Sequence, residues 1–362
     1  MKNFSNIKVL ALILAYSSFA MADHHASSKH DSQVKYISYS QIGNPADVLE
    51  VKTEASSALN SGEVRVKVLA APINPSDLLQ ISGNYGVAAV LPARPGSEGV
   101  GRVTEVSPQV KNLKVGQLVL LAIGSTWAEE IVAPAEGFLP LPNLGTLSAE
   151  VIEQLAMSAV NPLTALLMLT SYGDIEEGQW IVQSAANSAV GGYVIQLAKQ
   201  RGIKTVNIVR REGLADDLMA KGADVVLIDG PNLTAQIAKA TNNASIMLAL
   251  DPVGGDTYGR LANSLGYGGT LVTYGVLSGK PATLDTGKVI FNDTRLRGFW
   301  LYKWYQTATT EEMQAAFGQV IPLIANGTLK ANIDSRYTVD QIKQAVTRAW
   351  EGGRNGKVLI VP

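Results

Sequence analysis

From about residue 149 onward, strand-like runs alternate with helical stretches, and this alternation constrains the fold more than any other feature. Runs rich in β-branched and apolar residues occupy 180–184, 205–209, 225–228, 246–250, 270–274 and 296–301. The clearest helical stretch between them is the apolar-periodic segment 191–201. Parallel strands need long crossovers rather than tight hairpins, and helices are the usual crossover. Six such strands predict a doubly wound parallel sheet with helices on both faces.

Upstream the pattern is different. From Val34 to about Pro142, short strands are broken by glycine and proline. Residues 63–70 (EVRVKVLA) alternate as a half-buried strand does, and 99–106 and 117–122 read as further strands. A chain of 362 residues with 46% hydrophobic and 17% charged residues has material for two buried cores. After about Trp304 come helical segments and a last strand at 357–361. The expected layout is α/β: a β-rich domain over 34–155, a doubly wound domain over 156–304, and a return to the β-rich domain over 305–362.

The N-terminus reads as a processing segment. Lys2 and Lys8 precede an apolar run at 9–15, then Ala20-Met21-Ala22, then a polar stretch at 23–33. That is the layout of a secretory signal peptide over 1–22. Its apolar run is too short for stable membrane insertion. An exported protein, periplasmic or secreted, is expected; a start at Met21 would instead leave the protein cytoplasmic. Residues 23–33 are expected to be a disordered tail, and His24, His25 and His30 all lie there. The chain has no cysteine, which excludes disulfides, thiol nucleophiles and cysteine-ligated metals. A net charge of -1 without any Lys/Arg-rich run excludes nucleic acid as an expected partner.

The strand at 180–184 runs into Ala185-Ala186-Asn187-Ser188-Ala189-Val190-Gly191-Gly192 and then a helix. Small residues let backbone approach a pyrophosphate, and a helix N-terminus offers free N–H groups. The segment lacks the G-x-G-x-x-G pattern and is equally compatible with tight packing; its place in a βαβ unit favours a dinucleotide. The next strand ends at Val209 and leads into Arg210 and Arg211. An acid there would suit the ribose hydroxyls of NAD, whereas arginine suits the 2′-phosphate of NADPH.

The segments Ile73-Asn74-Pro75-Ser76-Asp77, Gly83-Asn84-Tyr85-Gly86 and Gly96-Ser97-Glu98-Gly99-Val100-Gly101 resemble the substrate domain of medium-chain dehydrogenases/reductases. Leu296-Arg297-Gly298-Phe299-Trp300-Leu301 and the ending Gly352-Gly353-Arg354-Asn355-Gly356-Lys357-Val358 extend the likeness, which runs from about residue 34 to the C-terminus. Within that superfamily the pattern is most similar to trans-2-enoyl-thioester reductases of mitochondrial type, with quinone oxidoreductases as neighbours. The resemblance implies a GroES-like substrate domain, a Rossmann domain and NADPH as cofactor. Zinc-containing members carry histidine where this chain has Ser97, so a zinc-independent reductase is implied. Tyr85 matches the family's proton donor; an ordinary phenol, with a pKa of about 10, is protonated near neutral pH. Asn161 matches an asparagine near the nicotinamide, and Asn187, Ser188, Ala189 and Val190 match the pyrophosphate loop. Tyr274, Gly275 and Val276 match the turn after the fifth strand. Phe299, Trp300 and Leu301 match the stretch beside nicotinamide and acyl chain, and Lys357 matches a lysine that reaches the cofactor. Trp127 also fits the pattern. Ala189 departs from it, standing where the reductases have glycine.

The implied reaction is reduction of a conjugated double bond in a small enoyl thioester carried on CoA or acyl carrier protein. The alternatives are an NADPH:quinone or enone reductase, and an exported binding protein that keeps the fold with little turnover. A homodimer is expected, with 295–301 as the pairing strand.

Replacing both Arg210 and Arg211 with glutamine should raise the Kd for NADPH and spare that for NADH. Charge-assisted hydrogen bonds to phosphate contribute about 1.5–3 kcal/mol each, so roughly tenfold or more per arginine is expected. Equal affinity of the unmodified protein for the two coenzymes, measured by fluorescence titration, would refute the assignment.

Overall fold

The computed structural model describes residues 33–122 and 124–362. The leader expected over 1–22 and nearly all of the tail lie outside the described residues. The chain forms two units. The first takes the chain up to Ala159, then Thr309–Gln314 and Asn332–Pro362; the second takes Val160–Ala308 and Ala315–Ala331. Residues 315–331, expected in the β-rich domain, therefore group with the other unit. Side-chain bonds explain part of this: Gln196 accepts from the Lys330 N–H at 2.7 Å and donates to the Lys330 carbonyl at 3.0 Å.

The first unit opens with β1 (Gln33–Ser38), β2 (Glu50–Ala55), β3 (Glu63–Pro72), β4 (Gly99–Val106), β5 (Leu118–Leu121), β6 (Glu130–Pro134) and β7 (Phe138–Pro140). The second unit follows with β8 (Trp180–Gln183), β9 (Lys204–Val209), β10 (Val225–Ile228), β11 (Ile246–Asp251), β12 (Thr270–Thr273) and β13 (Arg295–Gly298). The chain then returns to the first unit for β14 (Ile333–Tyr337) and β15 (Lys357–Ile360).

In the first unit β3 is the hub. It pairs antiparallel with β4, with β6 and, at its C-terminal end, with β15. Val64, Val66 and Val68 alternate along it into the core, as the sequence pattern predicts. The opposite face is not fully exposed, however, because Arg65 is buried as well. A buried guanidinium persists only where it is paired and hydrogen-bonded. Arg65 Nε donates to Glu105 at 2.9 Å, and its other nitrogens donate to Glu130, Ser56 and the Ser57 carbonyl. Leu121, Trp127, Phe138, Val346 and Val358 complete this core.

The second unit is a six-stranded parallel sheet in the order β10-β9-β8-β11-β12-β13. Strands covered on both faces read as continuous apolar runs, and Ile181, Val182, Leu248, Ala249 and Leu250 are all fully buried. The strand order reverses between β8 and β11, the switch point of a doubly wound sheet. The last strand is shorter than expected. It stops at Gly298, the Phe299 N–H adds one more bond to the Thr273 carbonyl at 2.8 Å, and the helix Leu301–Thr307 begins. The Trp300 carbonyl accepts from the N–H groups of both Lys303 and Trp304, which turns the aromatic run into helix.

Packing between β3 and β4 leaves no room at Gly101, which lies opposite Val68. A Cβ there would sit 2.3 Å from Val66 Cγ1 and 2.8 Å from the Lys67 carbonyl oxygen. Overpacking of this kind costs about 1–3 kcal/mol. Gly101→Ala should therefore lower the urea midpoint; an unchanged midpoint would show that the β3–β4 pair yields easily.

Candidate functional site

At the C-terminal end of β8 the backbone turns sharply into the helix Ala189–Gln200. Ala185 holds φ = +46°, a left-handed conformation that costs energy for any residue with a Cβ. Ser188 caps the helix, its hydroxyl accepting from the Gly191 N–H at 3.1 Å. Gly191 must be glycine: a Cβ would lie 2.5 Å from the Ala186 carbonyl oxygen. Gln183 Nε2 donates to the Gly191 carbonyl at 3.0 Å and to Asn207 Oδ1 at 2.8 Å, tying the turn to β9. The N–H groups of Asn187, Ala189 and Val190 find no backbone or side-chain acceptor among the described residues. Donors left over at a helix N-terminus are groups that can bind an anion.

The neighbouring strand ends complete this half. Tyr274 follows β12, and its hydroxyl is buried without a hydrogen-bond partner among the described residues. Burial and then the Asp251 carboxylate push its ionisation up, and the nearby Ser188 hydroxyl acts the other way. Gly275 packs its backbone on Pro252, where a Cβ would approach the carbonyl oxygen to 2.9 Å, and Val276 is exposed. Asp251, at the end of β11, is fully buried; it accepts from the Ser184 hydroxyl and from the N–H groups of Val253 and Gly254. Burial pushes its carboxyl up. Arg210 and Arg211 follow the end of β9, are exposed, and pair with no carboxylate among the described residues. Beyond β13, the Phe299 ring meets Tyr172 edge-on at 6.3 Å, and Trp300 stacks on Tyr302 at 4.9 Å, with Leu301 half-buried. Asn161 is the first residue of the helix Asn161–Ser171 and is buried, with Val160 rather than Asn161 at the cap position.

In the first unit Tyr85 is half-buried in the irregular segment after the helix Pro75–Ile81. Gly83 makes the turn possible with φ = +76°, and a Cβ there would press on Ile42 at 2.6 Å. Lys357 lies inside a buried polar cluster. Its ammonium donates to the Ile73 carbonyl at 2.9 Å and to Asn74 Oδ1 at 2.5 Å. Asn74 in turn donates to Glu98 Oε1 at 2.9 Å, and the Asn74 N–H donates to Asp77 at 2.8 Å. Trp127 is buried and donates its indole N–H to the Pro72 carbonyl.

The parallel sheet thus gathers Asn187, Ser188, Ala189, Val190, Arg210, Arg211 and Tyr274 at the C-terminal ends of its strands. Tyr85 and Lys357 belong to the other unit. Sequence reasoning missed Gln183, Asn207, Ser184 and Asp251, and gave Asn74 and Glu98 no role of their own. A buried acid between glycines, as in Gly96-Ser97-Glu98-Gly99, was the available signal for Glu98.

A zinc ion does not fit the residues present. Zinc sites use cysteine, histidine and carboxylate ligands. The chain has no cysteine, and its three histidines precede residue 33. Ser97 offers only a hydroxyl, the Glu98 oxygens are taken by Asn74 and the Ala159 N–H, and no metal-holding cluster occurs among the described residues.

Residues 60–143 match the alcohol dehydrogenase GroES-like domain, and residues 189–320 match the zinc-binding dehydrogenase family. Mitochondrial enoyl-[acyl-carrier-protein] reductase of Rattus norvegicus is 35% identical over 92% of this chain and 87% of its own length. The Homo sapiens enzyme of the same name is 34% identical over 94% and 91%. Among solved structures, the complex of Etr1p, a mitochondrial 2-enoyl thioester reductase of Candida tropicalis, with NADP and crotonyl-CoA superposes with a TM-score of 0.83 at 28% identity, covering 91% of this chain and all of that one. A Bacillus thuringiensis protein assigned as an NADPH:quinone reductase gives 0.82 at 29%, covering 92% and 100%. With its GroES-like and Rossmann units and these full-length relatives, the chain belongs to the medium-chain dehydrogenase/reductase family, on the branch of the mitochondrial-type enoyl-thioester reductases.

Proposed function

We propose that the protein uses NADPH to reduce the conjugated carbon–carbon double bond of a trans-2-enoyl thioester. The observation that carries this reading is the likeness to mitochondrial enoyl reductases over more than nine-tenths of the chain, with Tyr85 in its Gly-Asn-Tyr-Gly setting. The turn after β8 supports a dinucleotide: the N–H groups of Asn187, Ala189 and Val190 would take the pyrophosphate. Arg210 and Arg211 would take the 2′-phosphate. Asn161, Tyr274, Gly275 and Val276 would flank the nicotinamide, with Phe299, Trp300 and Leu301 between it and the acyl chain, and Lys357 would be a further coenzyme contact.

NADPH supplies the hydride for the β-carbon. Negative charge then builds on the α-carbon and the thioester oxygen, and the chain must hold a proton ready for it. Tyr85 is the donor: its hydroxyl hydrogen-bonds the developing enolate and passes its proton to it. A positioned acid of this kind contributes about 10²–10⁴-fold.

A second reading, NADPH:quinone reduction, is favoured by the likeness to the Bacillus thuringiensis protein. The two readings separate on Tyr85, since a reduced quinone can take protons from water. Tyr85→Phe keeps the ring and removes the donor. Turnover of a short trans-2-enoyl-CoA should fall by about 10²–10⁴-fold, while NADPH affinity and thermal stability hold. Undiminished enoyl turnover would remove Tyr85 from the mechanism. Robust quinone turnover by the unmodified protein, with no enoyl turnover, would replace the first reading by the second.

We also propose a homodimer built on β13. All four residues of this edge strand are exposed, and Tyr267, Ile290 and Phe291 are exposed at 75%, 71% and 80%. Uncovered strand edges and apolar surface invite pairing, and two-fold dimers are the commonest closed assembly. Sedimentation at micromolar concentration should give twice the chain mass; a monomer would count against the proposal.

A further inference from the structure

Lys357, Asn74 and Glu98 form a directional chain of hydrogen bonds. A side-chain amide has one end that accepts and one that donates. Asn74 Oδ1 is committed to the Lys357 ammonium, so Nδ2 faces Glu98 Oε1 as a donor. Glu98 Oε2 then accepts from the Ala159 N–H at 2.9 Å. The three side chains are 5%, 1% and 0% exposed, so water cannot replace any of these bonds. Burial pushes the Glu98 carboxyl up and the Lys357 ammonium down, and each opposes the shift of the other. Asp77 also faces the cluster, held by the Asn74 N–H and the Ser97 hydroxyl, with its carboxyl pushed up to about 6 by burial. Arg354 acts against the Lys357 charge, and Tyr39 faces Asp77.

Both outer ends of this chain touch places where the polypeptide passes between units. Ala159 is the last residue of the first unit's opening segment, and Asn161 follows two residues later. The Lys357 backbone N–H donates at 2.8 Å to the carbonyl of Asn332, where the chain re-enters that unit.

We infer that Glu98 is a positioning residue for coenzyme binding: through the Asn74 amide it keeps Lys357 charged and in place, and through the Ala159 N–H it fixes the segment leading to Asn161. This rests on the proposed coenzyme contacts of Lys357 and Asn161. Glu98→Gln is the informative change. Glutamine can still accept from Ala159, but its amide nitrogen then meets the Asn74 nitrogen, donor against donor. Rotating Asn74 relieves that clash and turns a donor toward the ammonium. While the Ala159 bond is kept, the substitution cannot be accommodated without loosening Lys357; the alternative rotation of the glutamine keeps the Asn74 bond only by breaking the one to Ala159.

The test has two measurements. The first is a ¹³C NMR titration of the Lys357 side chain, assigned with Lys357→Met. In Glu98→Gln its midpoint should shift down by about one pH unit, the usual effect of losing a close opposite charge; an unmoved midpoint overturns the inference whether or not coenzyme binds. The second is a double-mutant cycle on the Kd for NADPH with Glu98→Gln and Lys357→Met. Each single change should weaken binding about tenfold, and the double should be no worse than Lys357→Met alone. Additive losses, or no loss in Glu98→Gln, overturn it. If Glu98→Gln does not fold, Lys357→Met tests the coupling from the other end: the Glu98 carboxyl should titrate higher without the ammonium, and no change overturns the inference. An unmodified protein that binds no NADPH would instead sink the proposed function, with the NMR titration still deciding the coupling.

Discussion

Unsatisfied N–H groups at the start of the helix Ala189–Gln200 dictate the design of the second unit. A helix leaves its first donors without intrahelical partners, and burying them unpaired is costly. Ser188 satisfies one of them, and among the described residues the N–H groups of Ala189, Val190 and the preceding Asn187 have no acceptor. The residues around them hold the turn in shape. Ala185 accepts a left-handed backbone, Gly191 gives up its side chain to let the helix press on Ala186, and Gln183 fastens the Gly191 carbonyl. Strain, close approach and a buried amide converge on one turn.

The first unit handles buried charge in two contrasting ways. Arg65 is surrounded by carboxylates from β4 and β6, the Ser56 hydroxyl and the Ser57 carbonyl, which closes its hydrogen bonding and makes it a structural pin for β3. Lys357 has no such enclosure. Its ammonium rests on one carbonyl and one amide, and its charge balance comes from Glu98 and Asp77. Removing one partner of a buried pair is far more damaging than replacing both, so such groups act as a set. A lysine held this way is fixed by two acceptors among the described residues, out of the three donors its ammonium carries.

Legibility in the sequence followed distance along the chain. The six parallel strands could be read because their burial is continuous and local, and Arg210 and Arg211 because they directly follow a strand end. The turn between β8 and the helix Ala189–Gln200 was readable as small residues between strand and helix. The Lys357–Asn74 bond was not readable, since 283 residues separate its partners, and neither was Ser184–Asp251, separated by 67. The grouping of 315–331 with the second unit was unreadable for the same reason: the Gln196–Lys330 bonds that draw the end of the long helical segment there span 134 residues. The strand predicted over 296–301 overran because Phe299, Trp300 and Leu301 suit strands by type, while the Trp300 carbonyl starts a helix. Tyr85 was legible only through its family resemblance; nothing in its loop marks it by spacing.

The scarcity of zinc ligands and the buried charge network bear on the same chemical choice. One way to take hydride from an alcohol puts a Lewis acid on the oxygen, and zinc supplies it where histidine and cysteine are available. Ser97 and the cysteine-free sequence close that route. Delivering hydride to a conjugated double bond makes a different demand, because the charge it creates is delocalised onto a carbonyl that a phenol can hydrogen-bond and protonate. The carboxylates beside Ser97 are then free of any metal and can be bound inward, Glu98 by Asn74 and Ala159, Asp77 by Asn74 and Ser97. On the proposed reading, the region that would polarise an alcohol in a zinc enzyme has become a support. It holds the lysine and the backbone that position the coenzyme, and the protonation of substrate falls to Tyr85.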